Sequence, residues 1–165
     1  MAERASAIII SKRHILLIHR IRTKGEFYVF PGGNIEAGET AEAACAREVL
    51  EETGLPAVWL EPAFDHALPD RMARYFFVSV GEGTLSVGGP EAFKRSEKNR
   101  YLLEWIPLVK LGEYALRPAA VRDAIVRVIE EGGLVREAPD LAQRRERMKE
   151  ILLVSKPLKG LPDAD

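Results

Sequence analysis

Three glutamates, Glu48, Glu51 and Glu52, stand at spacings that one turn of helix would gather. At about 100° per residue, Glu52 falls about 40° to one side of Glu48 and Glu51 about 60° to the other. The three carboxylates therefore share a face, and Ala43, Ala46, Val49 and Leu50 fall on the opposite, anchoring side. Like charges at i,i+3 and i,i+4 repel, each pair by roughly a few tenths of a kcal/mol. Arg47, one turn before Glu51, is a single cation among three anions. A hard divalent cation relieves such a cluster: all-oxygen donors suit Mg²⁺, with Mn²⁺ as a substitute, and the lack of clustered Cys or His disfavours zinc. Mg²⁺ held by a few carboxylates completes its shell with water and substrate phosphate, so the implied substrate is phosphorylated. For the E-x-x-E-E pattern alone, the competing reading is a solvated acidic helix face.

The elements that position these residues are legible around them. The spacing predicts a helix over 40–53, with Thr40 as N-cap, Glu42 in its first turn and Gly54 as its C-terminal stop. Strands are predicted at 6–10, 15–19 and 27–30, the first two joined by a hairpin turn at 11–14 that lacks an Asn-Gly signal. Pro31-Gly32-Gly33 ends the third strand, and glycine there permits a close backbone approach. Further strands are read at 57–60, 73–80 and 101–106, with a Gly/Pro-rich segment at 81–90. Pro118 is placed in the first turn of a second helix whose stripe is Val121, Ile125, Val128 and Ile129. A third, charged helix is expected from 138 to about 153, on Leu141, Met148, Ile151 and Leu152, followed by a loose tail. Strands mixed with helices at these intervals predict a layered α/β domain with a mixed sheet.

Composition limits the function classes. The chain has 165 residues, 24 basic against 25 acidic, and a formal charge of -1, which argues against a broad nucleic-acid or anionic-membrane coat. The charge is unevenly spread: residues 33–55 hold six acids and one base, leaving a mildly cationic body. One Cys gives neither an internal disulfide nor a thiolate metal site. No apolar run is long enough to span a bilayer and no signal-peptide pattern opens the chain, so a cytoplasmic location is expected.

From Gly33 the chain runs Gly33-x5-Glu39-x7-Arg47-Glu48-Val49-x-Glu51-Glu52-x-Gly54-Leu55. This resembles, without a departure, the signature box of the Nudix hydrolases, G-x5-E-x7-R-E-U-x-E-E-x-G-U with U aliphatic. Seven single-type positions and two aliphatic ones would match by chance on the order of once in ten million such chains. The lead-in Pro31-Gly32-Gly33-Asn34-Ile35-Glu36-Ala37-Gly38-Glu39 is similar to the family's P-G-G-x-x-E-x-G-E, and Trp105-Ile106-Pro107-Leu108 resembles its late W-x-P-L strand. The resemblance implies a Nudix-like α/β/α sandwich with a mixed central sheet over 1–133. Residues 134–165 are expected to form a charged C-terminal helix and tail outside the pattern, set against the domain or against a second copy in a homodimer.

The resemblance also implies hydrolysis of a nucleoside diphosphate linked to another moiety, a pyrophosphohydrolase reaction in which water attacks phosphorus with Mg²⁺ help. Glu48, Glu51 and Glu52 then correspond to metal-binding glutamates and the Gly32 carbonyl to a backbone ligand. Arg47 orients the glutamates, Gly33, Glu39 and Gly54 brace the loop and helix, and Glu48 is the general base. A downstream acid, Glu97 or Glu91, is the alternative ligand or base, and Arg20 is placed to contact substrate phosphate. The partner is a small nucleotide or nucleotide derivative. The rival is a non-catalytic Nudix-fold nucleotide-binding or sensor module, which would normally show eroded box glutamates. Cys45 reads as a packed thiol, His14, His19 and His66 as plain strand or loop residues, and Trp59 and Trp105 as mostly core. Lys94, Arg95, Lys98 and Arg100 read as a solvated loop or a second phosphate contact.

Overall fold

The computed structural model describes residues 2–86, 99–132, 146 and 148–151. Strands β1 (Glu3–Ser11) and β2 (His14–Arg22) form a hairpin at the centre. β3 (Gly25–Val29) and β4 (Gly32–Asn34) follow, then helix α1 (Ala41–Thr53), β5 (Ala57–Ala67), β6 (Met72–Val80) and β7 (Asn99–Pro107). A 3₁₀ turn at Leu108–Glu113, β8 (Leu116–Arg117) and α2 (Ala119–Glu130) complete the described elements.

β1 lies between β6, which it pairs in parallel, and β4, which it pairs antiparallel. β2 lies between β7 and β3, both antiparallel, and β8 adds parallel to β3. The β1–β2 hairpin thus joins two halves of one mixed sheet. Alternation along its strands fills two cores. Ala5, Ala7, Ile9 and Leu16 face α1, and Ile8, Ile15 and Leu17 face α2. Burial on both faces is why these strands read as unbroken apolar runs.

The elements differ from their sequence-based bounds for local reasons. The hairpin turn puts Lys12 at φ 47° and Arg13 at φ 63°, the left-handed pair that a tight two-residue turn demands, without glycine or asparagine. His14 Nδ1 is 2.7 Å from the Lys12 carbonyl and braces that turn. β5 runs on through Pro62 to Ala67, because it is an edge strand that shifts register around the proline. Pro118 caps α2 from outside its first turn. The buried stripe of α2 is Val121 and Ile125, with Ile129 packed beside them, and Val128 faces solvent. Residues 146 and 148–151 are helical, and Met148 and Ile151 are buried in the α1-side core. Leu141 and Leu152 lie outside the described residues.

Candidate active site

The junction of β4, its following loop and α1 is built around one arginine. Thr40 caps α1, its hydroxyl accepting from Ala43 N–H at 3.1 Å, and Gly54 ends the helix at φ 77° with its N–H on the Leu50 carbonyl. Between them Arg47 is buried, and its guanidinium makes five hydrogen bonds. Nε and Nη2 bond the two Glu39 oxygens at 2.8 and 2.9 Å, a bidentate pair on a fully buried carboxylate. Nη2 also reaches the Asn34 carbonyl at 3.2 Å. Nη1 donates to Glu48 Oε1 at 2.8 Å and to Glu51 Oε2 at 3.3 Å. These bonds, Glu39 first, hold the guanidinium charge more firmly than usual against the burial that opposes it.

The glutamates are not equally placed. Glu48 and Glu51 are partly exposed at the helix edge, while Glu52 is buried and accepts from the Gly32 N–H at 3.0 Å. The acidic helix face is therefore covered on one side by the β4 loop. Two glycines make the approach: a Cβ on Gly33 would sit 2.3 Å from Glu48 Oε1, and one on Gly32 would sit 2.3 Å from the Ala5 carbonyl. Glu39 also accepts from the Glu36 N–H at 2.9 Å, closing the loop onto the helix. The Gly32 carbonyl accepts from Arg4 Nη2 at 3.0 Å, and Arg4 Nε donates to Ser6 Oγ at 3.2 Å. Sequence spacing gave no sign of Arg4, because strand pairing between β1 and β4 alone brings it to the loop.

The donor set fits a hard divalent cation: carboxylates, a backbone carbonyl with a second lone pair, and a glycine cradle that a Cβ would fill. Among the described residues no three His, Cys, Asp or Glu side chains converge as a closed metal shell. A cation here would draw further ligands from water and substrate.

Other predicted residues fall elsewhere. Arg20 is on β2, with its guanidinium over the Tyr101 ring and bonded to the Tyr101 hydroxyl. Glu91, Glu97, Lys94, Arg95 and Lys98 lie outside the described residues, and Arg100 is exposed on β7. Cys45 is buried, and burial, helped by Glu42 and Glu48, pushes its thiol up so that it stays protonated. Trp59 and Trp105 are half-buried, Trp105 against the α1-side core. His19, read as a plain strand residue, is buried between two carboxylates, with Nδ1 2.8 Å from Glu104 and Nε2 3.2 Å from Glu26. Its ring stacks on Tyr28, whose hydroxyl donates to Glu104 at 3.0 Å. Burial, then Glu104, pushes that hydroxyl's pKa up. This network lies on the α2 side of the sheet, away from the box glutamates, and its partners are too distant in sequence for any spacing to show.

Comparison with known proteins agrees with this geometry. The chain is 31% identical over 133 residues to the NAD-capped RNA hydrolase NudC of Vibrio cholerae, covering 79% of this chain and 45% of that protein. It is 42% identical over 55 residues to an 8-oxo-dGTP diphosphatase of Haemophilus influenzae, covering 32% of this chain and 40% of the relative. The chain thus spans less than half the length of these curated relatives. In fold it is similar to a solved MutT structure from work on Aliivibrio salmonicida and Vibrio cholerae. That match has a TM-score of 0.59 at 24% identity and covers 78% of this chain and 95% of the other. The family model described as NUDIX domain matches residues 1–126, and with the unbroken box on α1 this chain belongs to the Nudix family.

Proposed function

We propose that the chain is a Nudix-type pyrophosphohydrolase that cleaves a phosphoanhydride in a nucleoside diphosphate derivative, with Mg²⁺ or Mn²⁺ as cofactor. The observation that carries this reading is the Arg47 array, which holds Glu39, Glu48 and Glu51 in one hydrogen-bonded set beside Glu52. Glu48, Glu51, Glu52 and the Gly32 carbonyl are the residues that would hold the cation. When bound, such an ion polarises phosphoryl oxygens and makes water acidic enough to attack. Glu48, partly exposed and held by Arg47 at 2.8 Å, would take a proton from the attacking water. Glu52, braced by the Gly32 N–H, fixes the loop against the helix while presenting its charge inward. Arg47 keeps Glu48 and Glu51 oriented despite their mutual repulsion.

The relatives' names speak of capped RNA and of an oxidised nucleoside triphosphate, and what is carried over is the shared nucleotide with its phosphoanhydride. The test is a panel of nucleoside triphosphates, dinucleotides and nucleotide sugars, incubated with Mg²⁺, with Mn²⁺ and with a chelator, and products identified by mass. Metal-dependent release of a nucleoside mono- or diphosphate from at least one member is expected. Tight nucleotide binding with no turnover across the panel would instead make the chain a binding module.

A further inference from the structure

Arg20, Arg22 and Arg117 bring three guanidinium groups onto one ring, Phe27, at 5.5, 5.4 and 3.9 Å from its centroid. Arg20 is also 4.6 Å from the Tyr101 centroid. Strand register explains the convergence. Arg20 pairs with Phe27 on β3 and with Tyr101 on β7, Arg22 is two residues along β2, and Arg117 pairs with Val29, two residues along β3. Alternate residues share a face, and Leu16 of the same series lies in the α1-side core. The cluster therefore faces the side of the sheet that carries the box glutamates. Helix α1 packs chiefly over β1, β4, β5 and β6, leaving this half of the sheet beside it.

Three cations in one patch repel unless an anion answers them. Aromatic faces hold guanidinium groups in place but do not cancel their charge. Among the described residues none of the three is ion-paired to a carboxylate, and Arg20 Nε is buried without a hydrogen-bond partner. Asn99, in register with Arg22, likewise has a buried Oδ1 with no partner. The chain from Phe27 to Gly32 covers five residues and so at most about 18 Å, within reach of one extended nucleotide ligand.

We propose that Arg22 and Arg117 join Arg20, the phosphate contact that the family resemblance implies, in an anion subsite seated on Phe27 and Tyr101, for a phosphate that the substrate carries beyond the cleaved pair. Guanidinium forks match phosphate oxygens two at a time, and a terminal phosphate brings close to two charges. The same chemistry could be offered by a longer polyphosphate chain or by a phosphate on the ribose. The proposal rests on the reading of this face as a nucleotide site, but not on catalysis.

Calorimetric titration in EDTA tests it on the full chain, comparing ATP with ADP for the longer chain and adenosine 3′,5′-bisphosphate with AMP for the ribose phosphate. At least about a tenfold gain in affinity from the extra phosphate is expected in one arm, which identifies its source. In the Arg22→Gln/Arg117→Gln double variant that gain is expected to vanish while ADP and AMP binding persists. Both side chains are exposed, so each single variant gives the same reading should the double variant fail to fold. No gain in either arm with wild-type protein, or a gain that survives in the variants, overturns the proposal. A gain without any hydrolysis in the panel above would keep the subsite and remove the catalytic reading.

Discussion

Arg47 and Glu39 form the interaction on which the loop–helix junction most depends. Glu39 is fully buried and takes two of the five Arg47 bonds, so Arg47→Ala would strand a buried carboxylate. A loss of about 3–5 kcal/mol in urea unfolding is expected. Arg47→Lys should recover little of it, because a lysine ammonium cannot make the bidentate fork. Gly33→Ala separates chemistry from folding. Its Cβ would meet the Glu48 carboxylate, the movable end of a side chain, so the fold should persist while Glu48 is displaced. Hydrolysis is expected to fall about 10- to 100-fold with an unfolding midpoint close to wild type, and a parallel loss of both would tie the glycine to folding instead. The resemblance to the box implies Arg47 and Glu39 as braces, and the structure pairs them. Arg4 on the Gly32 carbonyl and His19 between its glutamates were not, since strand pairing makes those contacts between residues that no sequence interval links.

At the scale of elements, α1 was fully legible because each end carries its own chemistry, a Thr40 hydroxyl at one and a left-handed Gly54 at the other. Thr40→Ala should cost about 1 kcal/mol in chemical denaturation, and Thr40→Ser should cost little. The β1–β2 turn was legible in position only. Its two left-handed residues, Lys12 and Arg13, are types that pay no attention to the usual turn code and carry conformational strain. Lys12→Asn with Arg13→Gly is expected to stabilise the protein by about 1 kcal/mol or more, read as a raised urea midpoint. An unchanged midpoint would mean that the His14 contact already relieves the turn. β5 runs seven residues past its expected end at 60, and its position at the sheet edge, with a register shift beside Pro62, is what tolerates the proline.

For the whole molecule, two cores on opposite faces of one mixed sheet account for the layered α/β architecture, and the unbroken apolar runs of β1 and β2 supply both. What the sequence could not show is how the hairpin divides the sheet, one half carrying α1 and the other the arginine–aromatic cluster. The α2-side core also sets an alkaline limit. Burial pushes the Tyr75 hydroxyl up to about 12, against Arg4 and Ser6, so the neutral form is favoured in the fold. Its stabilisation is complete below about pH 10 and fades as pH rises toward 12, by about 3 kcal/mol at most. Tyr75→Phe should flatten that part of the stability–pH profile. The uneven charge seen along the chain takes a physical form here, with acids gathered on α1 and arginines on the neighbouring half-sheet. The most direct test of the catalytic account is Glu52→Gln, which keeps an oxygen for the Gly32 N–H while removing the charge. Steady-state hydrolysis with Mg²⁺ is expected to fall by about a hundredfold or more at an unchanged unfolding midpoint. Undiminished hydrolysis by the folded variant would contradict the account.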